Sequence, residues 1–308
     1  MPTAEQVRRF IREYPQNIKG MSYEAFVEVC NQHFPRLPIL TVEFDNSPFF
    51  FNQRQYSGWN IVYRGRLITD KKAPYASVSE ISFVPESSLH MVKKFGRANK
   101  KHEAMFYGAF NFATACIETI SEGEDFRKAG ASAVTVGAWK FEKPLVFAKM
   151  PPSVKYTKLF YETVPYQSKR ITEATVKEEE AEVRAQLPSD LDFEGLQFFA
   201  DAFAKFDIES DEDYYPSNYY TDRVLGRVKG FNVQQPVDGI LYPSVLNSYE
   251  ELNIVLKPEV VTSSLRFIEG LHIWAVSHLE RGGGAEFLPI QQHATADENG
   301  IIKWPHSS

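Results

Sequence analysis

Cysteine is scarce in this chain: two in 308 residues, Cys30 and Cys116. Two thiols so far apart make neither a disulfide framework nor a CxxC pair, and they read as small packed hydrophobes in a reducing cytoplasm. Long apolar runs are also missing; none approaches the roughly 20 residues needed to cross a bilayer. The opening MPTAEQVRRFIREY is charged and lacks an apolar core, so it is not expected to act as a signal peptide. No GxGxxG, GxxxxGKS/T, HExxH or GxSxG motif occurs. The seven histidines are scattered, and His272 and His278, six apart, share no helical face, so no metal site is expected. Internal repeats are absent, and no basic run or known module points to nucleic acid.

What is present describes a folded chain. A hydrophobic fraction of 43% with 14% aromatics excludes a disordered or low-complexity protein. The net charge of −6 is unevenly spread. Residues 171–213 hold 14 acidic side chains against Lys177, Arg184 and Lys205, which leaves 31 basic and 26 acidic residues elsewhere. The acidic stretch reads as a solvated surface segment, and the positive excess elsewhere leaves room for an anionic ligand.

Helical periodicity marks residues 3–34, with a proline-broken connection after them. Strands are expected at 59–64, 80–84, 105–110, 133–141, 144–148, 239–242 and 253–256, those at 133–141 and 144–148 being neighbours joined by a Glu142-Lys143 turn. Helices are expected at 111–120 with Asn111 as N-cap, at 173–187, at 194–206, around 218–228, and in the second half of 258–279. Gly282-Gly-Gly284 reads as a linker ahead of an exposed tail. Strands and helices interleave without strict βαβ alternation, so the fold class is α+β with a mixed sheet.

Three segments carry candidate chemistry. Tyr63-Arg64-Gly65-Arg66 closes a strand, where an arginine can present a planar fork of donors to a phosphate or carboxylate, or simply lie on the surface. Residues 93–119 place Lys93, Lys94, Arg97, Lys100 and Lys101 ahead of a strand and a helix bearing Glu118. Asp238-Gly-Ile-Leu-Tyr-Pro-Ser244 is an apolar strand ending in a serine. Taken singly, Ser244 is a turn residue, Tyr107 a core aromatic and Glu118 a solvated helix carboxylate.

Together the segments resemble the RES domain family, named for its Arg, Glu and Ser. The likeness lies in Tyr63-Arg64, Gly96-Arg97-Ala98-Asn99, Tyr107 followed eleven residues later by Glu118, and Asp238 to Ser244, all in the family's order. The resemblance spans roughly residues 58–258. It implies a fold similar to the ADP-ribosylating toxins and an activity that consumes NAD+ by breaking the nicotinamide–ribose bond, with NAD+ as substrate. By that likeness Arg64 and Arg97 hold the phosphates, and Tyr107 lines the nicotinamide or ribose pocket with Tyr63 and Asn99 beside it. Glu118 and Ser244 act at the scissile centre, and Arg64 counts with them as catalytic. The family's members are mostly toxins paired with an antitoxin, so an antitoxin or regulatory protein is the implied partner.

The chain departs from the family in having about 50 residues ahead of the first motif. It also carries the acidic stretch between the Glu and Ser motifs, and Lys100-Lys101-His102 where many relatives have Pro and Gly. The expected organisation is therefore a helical region at 1–50 and a RES-like catalytic domain at 51–308 with a helical acidic insert. Two other readings stand beside cleavage: transfer of ADP-ribose to a protein, and a non-catalytic module that binds a nucleotide or a partner.

Overall fold

The computed structural model describes residues 2–44, 49–51, 54–56, 61–68, 74–121, 130–163, 172–227, 236–246, 249, 251–277, 285–287 and 290–305. Two helices lead, α1 (Ala4–Asn17) and α2 (Tyr23–His33), followed by strands β1 (Leu40–Phe44), β2 (Phe49–Phe51), β3 (Arg54–Tyr56) and β4 (Ile61–Ile68). Then come α3 (Val78–Ile81), β5 (Phe106–Ala109), α4 (Phe112–Ser121), β6 (Gly130–Phe141) and β7 (Leu145–Lys149). Helices α5 (Val154–Thr163), α6 (Glu173–Ala185), α7 (Asp190–Ala204) and α8 (Tyr215–Val224) follow in a block. The chain closes with β8 (Gly239–Pro243), β9 (Leu252–Leu256), α9 (Pro258–Ser264), β10 (Leu265–Ser277), β11 (Ala285–Phe287), β12 (Gln292–Ala296) and β13 (Ile302–Lys303).

Among the described residues the main sheet has eleven strands, in the order β1-β7-β8-β9-β5-β4-β6-β10-β12-β13 with β11 also on β10. The architecture is α+β with a mixed sheet, since β7 and β8 run parallel while the described pairs around them are antiparallel. Alternation along the strands puts Tyr63, Tyr107, Ala109, Tyr242 and Asn253 on one face, because Tyr63 pairs with Ala109, Ala109 with Asn253, and Asn253 with Tyr242.

That face carries two helical groups. Residues of α1, α2, α7 and α8 form one core with Ile240, Tyr242 and Val255 of β8 and β9. Cys116 and Ile120 of α4 form another with Val134, Val136, Leu271 and Ile273. The opposite face holds a third core around Val62, Phe106, Trp139, Phe147 and Ile254. The β4–β5 ladder is a single residue pair, so the two strands part beside the seam between the helical groups.

Several expectations are corrected. Residues 80–84 are not a strand: Glu80 lies in α3, its carboxylate accepting the N–H groups of Ala76 and Ser77, so the Ser77-x-x-Glu80 pattern starts a helix. β6 and β7 are not neighbours; β6 pairs with β4 and β10, and β7 with β1 and β8. Pro144 lacks the N–H that a hairpin ladder would need beside that turn. Pro258–Leu279 is helical only in its first half, as α9. The second half is β10, whose aromatic and β-branched residues fit the twelve-residue ladder offered by β6.

The segment after β11 is no bare tail, because β12 and β13 extend the sheet. Gly282-Gly-Gly284 and residues 59–60 at the head of the first expected strand lie outside the described residues. The acidic stretch is solvated only in part: α6 is largely exposed, whereas Phe193, Leu196, Phe199 and Phe203 of α7 are core. Phe206 falls beyond α7 and is 56% exposed. Within 1–50, Leu40–Phe44 is a strand of the main sheet rather than helix.

His272 on β10 is buried beside Trp274 and Trp304, and its Nδ1 has no hydrogen-bond partner among the described residues. Burial lowers its pKa, against a backbone hydrogen bond at Val134 that raises it. The neutral form is therefore favoured on folding. Its contribution is complete above the unfolded-state value of about 6.5 and is lost as pH falls below it. Urea melts at pH 7.5 and 5.0 test this: His272→Phe should lose less stability between the two than the parent chain. An equal loss would remove His272 from the acid response.

Candidate functional site

Asn111 ends β5's strand geometry and starts α4, its Oδ1 accepting the N–H groups of Ala113 and Thr114 at 2.8 and 3.2 Å. With Ala115, Cys116 and Ile120 buried, Glu118 stands off the apolar stripe. Gly65 lets β4 run against this helix: a Cβ there would lie 2.2 Å from Thr119 Oγ1 and 3.1 Å from the Ala115 carbonyl oxygen. Gly65→Ala should thus cost about 1–3 kcal/mol in a thermal or urea melt, since well-packed contacts resist added volume. Thr119→Ala should recover part of that loss; a neutral Gly65→Ala would mean that α4 can lift away freely.

Glu118 Oε1 accepts two hydrogen bonds, from Ser244 Oγ at 2.5 Å and from Asn253 Nδ2 at 2.7 Å. Both donors are buried, Ser244 at the end of β8 and Asn253 within the wholly buried β9. Ser244 is itself fixed through its backbone, giving its N–H to the Glu251 carbonyl and accepting from Tyr249. Among the described residues, Oε2 of Glu118 accepts no hydrogen bond.

Glu118 and Asn253 line a cavity of about 90 Å3 with Tyr63, Arg64, Tyr107, Thr119 and Tyr242. A second cavity of about 440 Å3 shares Arg64 and Tyr107 and continues to Lys93, Lys94, Asn99 and Glu103. The two cavities share Arg64 and Tyr107 as walls and are taken together as the compartments of the candidate cleft, at the place where β4 and β5 part. Ligand sites of this kind span roughly 300–1,000 Å3.

The candidate residues take different positions in it. Tyr63 lines the small compartment and packs edge-on to Phe112 at 5.9 Å; burial first, and Glu269 second, raises its pKa. Tyr107 lines both compartments, but its hydroxyl is engaged, donating to Asn99 Oδ1 at 2.7 Å and accepting the Ala98 N–H at 2.9 Å. Asn99 is the holder of that phenol. Gly96 allows the turn, because a Cβ there would lie 2.4 Å from Asn99 Oδ1 and 3.1 Å from the Tyr107 hydroxyl. Arg64 sits in the split of the sheet and bridges it, donating from Nε to the Ser82 carbonyl at 3.0 Å and from Nη1 to the Tyr107 carbonyl at 2.7 Å.

Arg97 lines neither compartment. Its Nη1 is buried without a hydrogen bond among the described residues, and its charge is felt at Tyr249, whose phenol burial pushes up to about 12 while Arg97 pulls it down. The rest of the basic cluster divides. Lys100 pairs with buried Asp222 at 3.0 Å and Lys101 with Asp211 at 2.7 Å, whereas Lys93 and Lys94 are exposed at the larger compartment.

An internal network holds the loop. Asp222 also accepts from Tyr23 Oη at 2.7 Å and faces Arg227 at 2.9 Å, and Arg227 reaches Glu103 at 2.8 Å and the Ala98 carbonyl at 3.2 Å. The cleft rim is thereby tied to α2 and α8.

Sequence reasoning assigned no role to Asn253, Tyr242 or Asp222. The signal for Asn253 was its isolation in Leu252-Asn-Ile-Val-Leu256, since a buried amide needs partners. Asp222 carried no comparable sign. Among the described residues no group of three or more His, Cys, Asp or Glu could hold a metal ion, and no helix is long and apolar enough to cross a membrane.

Comparison with known proteins adds no family: no protein-family model matches the chain. A search of curated proteins returns no match either.

Proposed function

We propose that this protein cleaves the nicotinamide–ribose bond of NAD+, by hydrolysis or phosphorolysis, with the RES-like, ADP-ribosyltransferase-like arrangement that its four sequence motifs imply. The observation that carries the reading is the oriented carboxylate of Glu118. It is held by Ser244 and Asn253 in a small compartment that shares its Tyr107 and Arg64 walls with a larger one lined by Lys93 and Lys94.

Nicotinamide leaves as a neutral base from a cationic ring, so positive charge grows on the ribose. A carboxylate fixed beside that sugar stabilises the charge or orients the attacking water or phosphate. Ser244 and Asn253 both donate to Oε1, which leaves Oε2 for the reacting centre. Ser244 thus serves as a positioning residue, its hydroxyl proton directed to Glu118 Oε1. Tyr63 and Tyr107 offer flat faces to the nicotinamide. Arg64 supports the site through the sheet, since two of its donors bind carbonyl groups.

A cytoplasmic growth-arresting toxin or defence effector, held by an antitoxin, is the setting we read for such an activity. The test is to incubate the purified chain with NAD+, with and without phosphate, and measure free nicotinamide. Release that depends on Glu118 supports cleavage, and phosphate dependence selects phosphorolysis. Absence of release from a folded chain overturns the reading. ADP-ribose recovered on protein instead would select transfer.

A further inference from the structure

The cationic stretch at 93–101 looks uniform in sequence but is not uniform in space. Lys100 and Lys101 are neutralised internally by Asp222 and Asp211. Arg97 lines neither compartment. Arg64 directs its Nε and Nη1 donors to carbonyl groups. Glu103, the acid on the wall of the larger compartment, is paired with Arg227. Lys93 and Lys94 remain: both line the larger compartment, and neither forms an ion pair among the described residues. The same compartment carries an apolar strip of Val84, Met91, Val92 and Phe95, of which Met91 is 68% exposed.

We infer that the larger compartment is a nucleoside diphosphate subsite in which Lys93 and Lys94, rather than Arg64 or Arg97, meet the phosphate oxygens and the apolar strip takes the base. The chemistry follows from the pairing. Two adjacent ammonium groups are mobile point charges, suited to the charge spread over two linked phosphates, and they need no fixed bidentate angle. Among the described residues no carboxylate pairs with them, so an incoming anion has no internal ion pair there to break. Their exposure makes the attraction sensitive to salt. The orientation of the nicotinamide end toward Glu118 rests on the cleavage reading, but the diphosphate subsite does not.

Calorimetric titration of the full chain with ADP and with adenosine tests it. ADP should bind more tightly than adenosine, and the difference should shrink as salt rises. The double charge reversal Lys93→Glu, Lys94→Glu should weaken ADP by about tenfold or more and leave adenosine alone. Both positions are exposed, and an unchanged melting curve confirms folding. With NAD+, the same variant should raise KM more than it changes kcat. ADP binding that is indifferent to the double variant, or no tighter than that of adenosine, overturns the inference. Lysine-dependent ADP binding without any nicotinamide release keeps the subsite and removes the cleavage reading. Nicotinamide release with a lysine-independent KM does the reverse.

Discussion

Glu118→Gln should lower nicotinamide release from NAD+ by on the order of 10²–10⁴-fold while the protein keeps its fold. The amide is nearly the same shape as the carboxylate, and its oxygen still accepts from Ser244 Oγ and Asn253 Nδ2, the bonds that hold Oε1 at 2.5 and 2.7 Å. The charge is removed, and the Oε2 acceptor at the reacting centre becomes an amide donor. A defect confined to kcat therefore reports what the carboxylate does at the reacting centre, whereas a rise in KM alone would report ground-state binding. Ser244→Ala and Asn253→Ala each delete one donor and leave the charge, so their losses should be smaller than that of Glu118→Gln. Turnover unchanged in Glu118→Gln would end the assignment of this carboxylate to catalysis.

The second large effect concerns stability. Phe199→Ala should cost about 3–5 kcal/mol in a urea or thermal melt, the range for truncating a large buried aromatic. Phe199 is fully buried and its ring meets Phe34, Phe198, Tyr219 and Tyr220 at 5.1–5.9 Å between centroids. It belongs to the acidic stretch, yet its neighbours come from the segment after α2 and from α8. By contrast, Lys177→Ala breaks only a solvent-screened exposed pair with Glu173 and should leave the melt nearly unchanged. A small effect of Phe199→Ala would mean that residues 171–213 dock loosely and that the shared core is not cooperative.

Much of this was legible because it depends on local pattern. The spacing of Ala113, Cys116 and Ile120 with an Asn111 cap announces α4 and sets Glu118 off the stripe, although the structure buries Ala115 rather than Ala113. The apolar runs of β8 and β9 likewise read directly as strands. What was hidden depends on long-range pairing. Leu265–Ser277 becomes a strand because β6 offers a ladder, and no feature of 258–279 alone discloses that partner. Arg97 and Lys93 are similar cations four residues apart, but one is turned inward near Tyr249 and the other opens on the cleft. Composition cannot separate them; only the path of the Gly96–Asn99 turn around the Tyr107 phenol does.

The ties that hold this rim have a thermodynamic consequence. Asn218 donates to the Gly96 carbonyl at 2.6 Å, and Tyr23, Asp222 and Arg227 fasten the same loop from behind. A mouth already fixed by helices loses little conformational freedom when a guest arrives. Fragments of the guest can then be held with nearly the same efficiency per atom as the whole, because no folding step has to be financed by their contacts.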